Sequence, residues 1–464
     1  MDSDACGARI SRNDMRRKIW LKKLHHTISI VNGVGMTETP AAFCNDSEKA
    51  PEQLYAERAK RVDDVIHMRQ PDRIPVILRL GHLPADLSGI ARQDLYENPA
   101  AAQKAMRDAA LRFQPDMVMG GIFGTSGVSR ALGDRSSKWP GYGLGPNGSY
   151  QYHEAEFMKA EEYDAFLDDP VDWAIRAYLP RVFAELEGLA MLPPLGKLLL
   201  GRGGIAEYLP FIANPQMASI FQALSAAAQA QAEFIGNAVA MVKCMAEAGF
   251  PPAPFYSGPF LNAPFDFIGN TLRGMRGIFL DMRRCPDKLL AAEEKIMPFM
   301  IETAVASCRA RKIPWAFIPL HRGSDGFMSL QGFERFYWPQ LKRVILALID
   351  AGITPYVNWE GTWDERLEYL TELPKGKVVS IFQSSNIFKV KEILGDVMCI
   401  LGGMPISMLM AATPGEIRDY TRRVCQVAGK GGGFIMTTDI GEMEGCDTAL
   451  IKVWMDATRE FGAY

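Results

Sequence analysis

Apolar runs in the last third of the chain are each followed closely by residues that carry chemistry. The run 314–320 (PWAFIPL) leads into His321 and Asp325, and 353–359 (ITPYVNW) ends on Asn358 and Trp359 before Glu360. The run 377–383 (KVVSIFQ) ends on Gln383, and 434–438 (FIMTT) carries Thr437 and precedes Asp439, with Cys446 further on. A histidine and a carboxylate that face one cavity make an acid–base pair, in which one group moves the proton and the other orients it. His321 and Glu360 are the candidates for that pair, and Asp325 stands where it would either position His321 or cap the helix near Phe333. Arg79, near the end of the earlier run 74–80, is suited to an anionic substrate group. His82, Asn358, Trp359 and Gln383 complete the expected substrate contacts. Plainer roles stand beside these: Glu360 as an ion-pair partner of Arg366, Cys446 as a small buried apolar residue, and the nearby aromatics as ordinary packing.

The elements that must position these residues follow from the pattern. The runs above, with 397–404 (VMCILGGM), alternate with helical stretches. Strands joined by long crossovers lie parallel, and parallel sheets bury both faces, which is why the runs are almost purely apolar. In a parallel barrel the loops after the strands share one rim. Upstream, the spacing predicts a helix from Pro51, a strand at 74–80, a helix over about 99–113 and a strand at 116–121. Residues 124–152, rich in Gly, Ser, Pro and aromatics, then read as a lid or a substrate-binding insertion. Helices dominate 161–250, the element GRGG at 201–204 lacks the Lys and Ser of a phosphate loop, a short strand is expected near 255–258, and two helices follow to about 313. About eight strands and no GxGxxG after the first favour an α/β fold of the (β/α)8 TIM-type barrel class over an open dinucleotide-binding sheet. The barrel domain is expected over 51–464, with 1–50 as a partly disordered or helical N-terminal extension.

A formal charge of −3 from 51 basic and 54 acidic side chains provides no polycationic face, so nucleic acid is not an expected partner. Eight cysteines are scattered without CxxC spacing, which fits a reducing, cytoplasmic setting. The Ala-rich stretch 217–250 is broken by Gln222, Gln229, Gln231, Glu233 and Lys243, which suits a buried helix rather than a membrane span.

Four further stretches carry a family resemblance: ERAKRVDDVIHMRQPDRIPV leading into the first strand, LRGMRGIFLDMRRCPDKLLAA, FERFYWPQLKRVILALIDAGITPYVNWEG, and GKGGGFIMTT with GCDTALIKVWMDATREFG. In this order, from about Glu57 to the C-terminus, they resemble the uroporphyrinogen decarboxylase-like superfamily. That resemblance implies a distorted (β/α)8 barrel with one of two chemistries: metal-free decarboxylation of acetate arms, or zinc-dependent methyl transfer between a corrinoid protein and a small acceptor. The decarboxylase branch carries a motif of the form MRQAGR; here ILRLGHLPADLSG keeps Arg79 but not the rest, which argues against a substrate bearing many carboxylates. The methyltransferase branch binds zinc through His-x-Cys and a distant Cys. Here the pair reads Asn358-x-Glu360, while Cys446 stands where the distant Cys belongs, so the implied ligands are Glu360, Cys446 and His321.

The expectation is therefore a methyltransferase acting on a small substrate, aromatic or not, with zinc in the protein and cobalamin carried by a partner corrinoid protein. A second copy of the chain, as a homodimer, is the other expected partner, and no membrane span is expected. A metal-free decarboxylase or lyase, and a non-catalytic small-ligand-binding protein, are the alternatives.

Overall fold

The computed structural model describes residues 49–119, 124–253, 258–439 and 443–464, so the expected N-terminal extension falls almost wholly outside the described residues. Helix α1 (Pro51–Ile66) precedes strand β1 (Ile77–Arg79), and helix α2 (Pro99–Phe113) precedes strand β2 (Met117–Met119), which pairs parallel with β1. After residue 124 come helix α3 (Ser126–Leu132) and a small sheet of β3 (Ser137–Pro140), β4 (Gly143–Leu144) and β5 (Gln151–Tyr152). The stretch read as a lid is thus built structure. A long helix α4 (Pro215–Glu247) ends the helical region; α5 (Gly274–Arg284) and α6 (Pro286–Arg311) lead to β6 (Trp315–Leu320). Then α7 (Trp338–Asp350), β7 (Thr354–Trp359), β8 (Val379–Phe382), α8 (Ile387–Leu394), β9 (Cys399–Met404), α9 (Pro414–Val427), β10 (Phe434–Thr438) and α10 (Thr448–Phe461) alternate to the end.

Strands β6 to β10 form one parallel sheet in sequence order. A parallel bridge between Val76 and Met436 joins β10 to β1, so parallel pairing runs from β6 round to β2. Beyond the two outer strands, Pro252 bridges Val118 of β2 and Phe260 bridges Phe317 of β6, both parallel; residues 254–257 between them lie outside the described residues.

Alternation along each strand separates two cores. Ile77, Met117, Phe317, Tyr356, Val379, Ile381, Cys399, Leu401 and Ile435 pack together on the inner side, and Val62, Val65 and Ile66 of α1 join them. The other parity, with Leu78, Ile318, Leu320, Val357, Trp359, Phe382, Ile400 and Met436, packs against the helices. Each large aliphatic or aromatic side chain so enclosed contributes about 1.5–3 kcal/mol.

Helix α4 departs from the expected buried helix. It forms, capped by Asn214, but residues 231–233 and 235–239 are exposed around most of its circumference, including Ile235 and Val239. Amphipathic spacing holds where Met217, Ile220, Ala223 and Ala227 find neighbours to cover them, and burial returns at Met245 near the end. Among the described residues no helix is long and apolar enough to cross a membrane.

Glu293, on α6, is enclosed completely, and among the described residues neither of its carboxyl oxygens has a hydrogen-bond partner. Burial pushes its pKa well above the ordinary carboxylate value, and the neighbouring charges of Glu294 and Asp266 push it the same way. The sign follows: ionisation is easier in the unfolded chain, so Glu293 costs stability increasingly as pH rises above about 4.3, its unfolded value. Glu293→Met is expected to gain on the order of 1–3 kcal/mol at pH 7 by removing an unsatisfied buried group. Urea denaturation at pH 7 and at pH 4.5 checks this, and the gain should be the smaller at pH 4.5.

Candidate active site

The register of β6 on β7 explains why His321 and Glu360 meet. Leu320 pairs with Trp359, so the next residue on each strand, His321 and Glu360, falls side by side at the carboxyl ends. Both share the parity of Phe317 and Tyr356, the inner-core residues below them. The Nε2 of His321 lies 3.6 Å from Oε2 of Glu360, each side chain about one-third exposed. That gap is too long for a hydrogen bond, so the two groups face one point without closing on each other.

Glu360 is held from the other side by Asn358, whose Nδ2 donates to Oε1 at 2.9 Å. Burial raises the Glu360 pKa, and Asp266 acts in the same direction; the charges of His321 and Arg79 and the Asn358 bond oppose it without reversing it. A carboxyl with a raised pKa holds its proton nearer to neutrality, which is what a proton donor needs.

Arg79 closes β1 on the inner parity and is buried, yet among the described residues its Nη1 has no partner. The same holds for Asn358 Oδ1 and for Thr437 Oγ1 on β10. Buried polar atoms are rarely left unpaired, and a donor from a guanidinium together with an amide and a hydroxyl oxygen suits an anionic, hydrogen-bonding ligand. Gln383, one residue past β8, is half-buried and falls in register beside Glu360.

Behind His321 the loop is fixed by Asp266, which accepts from the backbone N–H of His321 and of Arg322, both at 2.9 Å, and from the Tyr337 hydroxyl at 2.5 Å. Asn270 donates from Nδ2 toward His321 Nδ1 at 3.0 Å, and Arg322 bonds the Asn270 side-chain oxygen and Glu154. Gly323 is required by close approach: a Cβ there would lie 2.4 Å from the Tyr337 ring and 2.6 Å from that of Trp363.

Asp266 and Asn270 were missed in the sequence. They stand four apart where a short helix (Pro264–Phe267) runs into a π-helical turn (Ile268–Arg273), and such turns are frequent at functional sites. Their only sequence signal is polarity inside the otherwise apolar stretch PFDFIGN.

The structure does not bring the remaining expected residues into this hollow. Asp325 pairs with the buried Arg366 and caps the N–H of Glu365 at 3.2 Å, tying the loop after β6 to the loop after β7; it neither caps the helix at Phe333 nor faces His321. Arg366 is therefore not the partner of Glu360. Trp359 has the opposite parity to Asn358, is wholly buried in the outer core, and donates from Nε1 to Ser380 Oγ at 3.0 Å. His82 has both ring nitrogens engaged, one by Glu444 and the other by the Tyr96 hydroxyl at 2.7 Å. It is a strut between distant loops, in which Arg92 Nη1 reaches the same Glu444 carboxylate at 2.7 Å. The nearby aromatics include ordinary packing: Trp363 is wholly buried, and Trp139 bonds Ser129 Oγ at 3.0 Å and packs on Tyr150, while Phe123 lies outside the described residues.

Cys446 packs in the outer core just before α10. Burial and the nearby Asp439 push its thiol up to about 11. Among the described residues no three His, Cys, Asp or Glu side chains gather as metal ligands. The donors that the described residues bring to the mouth, one imidazole and one carboxyl already bonded by Asn358, do not make the closed or three-ligand set that zinc takes.

Three comparisons with known proteins bear on this site. The family described as uroporphyrinogen decarboxylase (URO-D) matches residues 204–461. No curated protein sequence matches the chain. Among solved structures, a methyltransferase from Methanosarcina mazei superposes with a TM-score of 0.55 at 12% identity, covering 87% of this chain and 98% of that one. At that identity the likeness is one of fold. Because the family match spans more than half of the chain and takes in α5 to α10 with β6 to β10, the chain belongs to the uroporphyrinogen decarboxylase family.

Proposed function

We propose that this chain is a methyltransferase that takes a methyl group from a small, oxygen- or nitrogen-linked substrate and passes it to a corrinoid carried by a separate protein, with the parallel arc closing as a (β/α)8 barrel around the site. One observation carries the reading: Glu360, its pKa raised by burial, faces the same point as His321 Nε2 at the mouth of the parallel strands. Loss of a methyl group leaves the former methyl-bearing atom with an electron pair and negative charge, and that atom takes a proton. Glu360 supplies it, becoming a carboxylate, and regains a proton from water across the exposed side of the pair. Arg79 and the unpartnered oxygens of Asn358 and Thr437 hold the substrate's anionic and hydrogen-bonding groups, which keeps the reacting bond over Glu360. The partner's reduced corrinoid supplies the nucleophile. No step passes through zinc, since the donors that the described residues bring to the mouth, one imidazole and one carboxyl, do not fit that ion.

A second reading, metal-free decarboxylation, draws on Arg79, whose buried, unsatisfied Nη1 would grip a carboxylate, with Glu360 or His321 protonating the carbon left behind. One assay separates the two. The purified chain is incubated with free cob(I)alamin and a panel of methylated aromatic and aliphatic acids, and methylcobalamin absorbance and released carbon dioxide are followed together. Methylcobalamin without carbon dioxide is the expected result; carbon dioxide without methylcobalamin supports the lyase, and tight ligand binding with neither product supports a binding protein.

A further inference from the structure

We infer that Asn270 is a positioning residue that holds His321 in one tautomer, with the proton on Nε2, and that Arg322 sets the direction in which the Asn270 amide faces. The inference rests on the reading of His321 and Glu360 as the working pair. Arginine has donors only, so the atom of Asn270 that meets Arg322 Nη1 is the amide oxygen. The NH2 end must then face His321 Nδ1, where the separation is 3.0 Å. An NH2 group has no acceptor to offer, so Nδ1 presents its lone pair and the ring proton sits on Nε2, the nitrogen turned toward Glu360. The opposite amide orientation would set donor against donor at Arg322.

The arrangement is well braced. Arg322 is buried and spans Asn270 and Glu154, while Asp266 holds the backbone N–H of both His321 and Arg322. The charged groups around the imidazole are thus Glu360 and Arg79 from the strand ends, Asp266 from the short helix before the π-helical turn, Arg322 from the loop after β6, and Glu154 from the segment after β5. The consequence is a division of labour. His321 offers a fixed N–H to the substrate and is not free to act as a base through Nε2, which leaves proton transfer to Glu360.

The test is the side-chain 15N–1H spectrum of histidine in the full-length protein, with the His321 signal assigned by its loss in His321→Gln. Between pH 7 and 8 the wild-type ring is expected to show a protonated Nε2 and a bare Nδ1. Asn270→Asp places an acceptor at Nδ1 and keeps an oxygen for Arg322 to meet. It is expected to move His321 to the Nδ1–H or doubly protonated pattern while circular dichroism and the Asp266-held loop stay as they are. The same variant shifts the pH profile of turnover, whereas a merely structural contact would lower the rate at every pH alike. A wild-type ring carrying its proton on Nδ1, or an unchanged His321 signal in Asn270→Asp, overturns the inference. Because the spectrum needs no substrate, it answers even if no methyl transfer is found.

Discussion

Glu360→Gln is expected to lower kcat/KM for methyl transfer by about 10²–10⁴-fold, the range lost when a positioned proton donor is removed. The amide keeps the shape and can still accept from Asn358 Nδ2, so folding is not at stake; Glu360 also keeps about one-third of its side-chain surface exposed. What the substitution removes is the transferable proton. The pH dependence gives the sign. Burial raises the Glu360 pKa, so the proton-loaded form persists further toward neutrality than for an ordinary carboxyl, and the wild-type rate should fall as pH climbs through that raised value. In Glu360→Gln the residual rate should lack that falling limb. Steady-state kinetics from pH 5 to 9 on both proteins decide it; a variant of undiminished rate would remove Glu360 from the chemistry.

Asp116→Ala is expected to cost about 3–5 kcal/mol of stability, the penalty for breaking a buried charge cluster from one side. Asp116 is enclosed just before β2, where it meets Arg61 of α1, accepts from Arg73 Nη1 and Nη2, each at 2.8 Å, and from the backbone N–H of Val76 at 2.8 Å. Its removal leaves Arg61, itself 7% exposed, to the surface carboxylate of Asp72. Burial alone would raise the Asp116 pKa, but Arg73 and Arg61 outweigh it and hold the carboxyl below its ordinary value. The stabilisation is therefore fully present above about pH 3.9, the unfolded value, and is lost only as pH falls through the lower, folded one. Denaturant midpoints for wild type and variant should differ by a constant amount between pH 5 and 8. The effect on the site should be small, because the cluster lies at the opposite end of β1 from Arg79.

Much of the sheet was legible because burial on both faces leaves a parallel strand little choice of residue. The runs at 314–320, 353–359 and 434–438 became β6, β7 and β10 with shifts of one residue at most at either end. Helix α2 was equally plain, since Asn98 before Pro99 marks its start. The nearness of His321 and Glu360 followed from both standing one residue past adjacent parallel strands. Parity was also readable: Asn358 and Glu360 share a face and Trp359 cannot, a consequence of alternation that the shared position at a strand end obscured.

What stayed hidden was pairing across long separations. Nothing local tells that His82 meets Glu444, 362 residues away, or that Asp325 spends its charge on Arg366. Asn270 sits on a π-helical turn that a 3.6-residue period does not describe, and Asp266 on the four-residue helix that leads into it. Cys446 could be placed near the C-terminal rim, but whether its thiol faced the hollow or the helices was a question of packing.

The central claim, proton transfer by Glu360 without a metal, is tested most directly by the rate of methyl transfer in protein stripped with a strong chelator and verified as metal-free by mass spectrometry. Stripped protein is expected to match the untreated enzyme, with no gain when zinc is returned. A rate that vanishes on stripping and returns with one zinc per chain, the metal in turn being lost from both Glu360→Ala and Cys446→Ala, would contradict it.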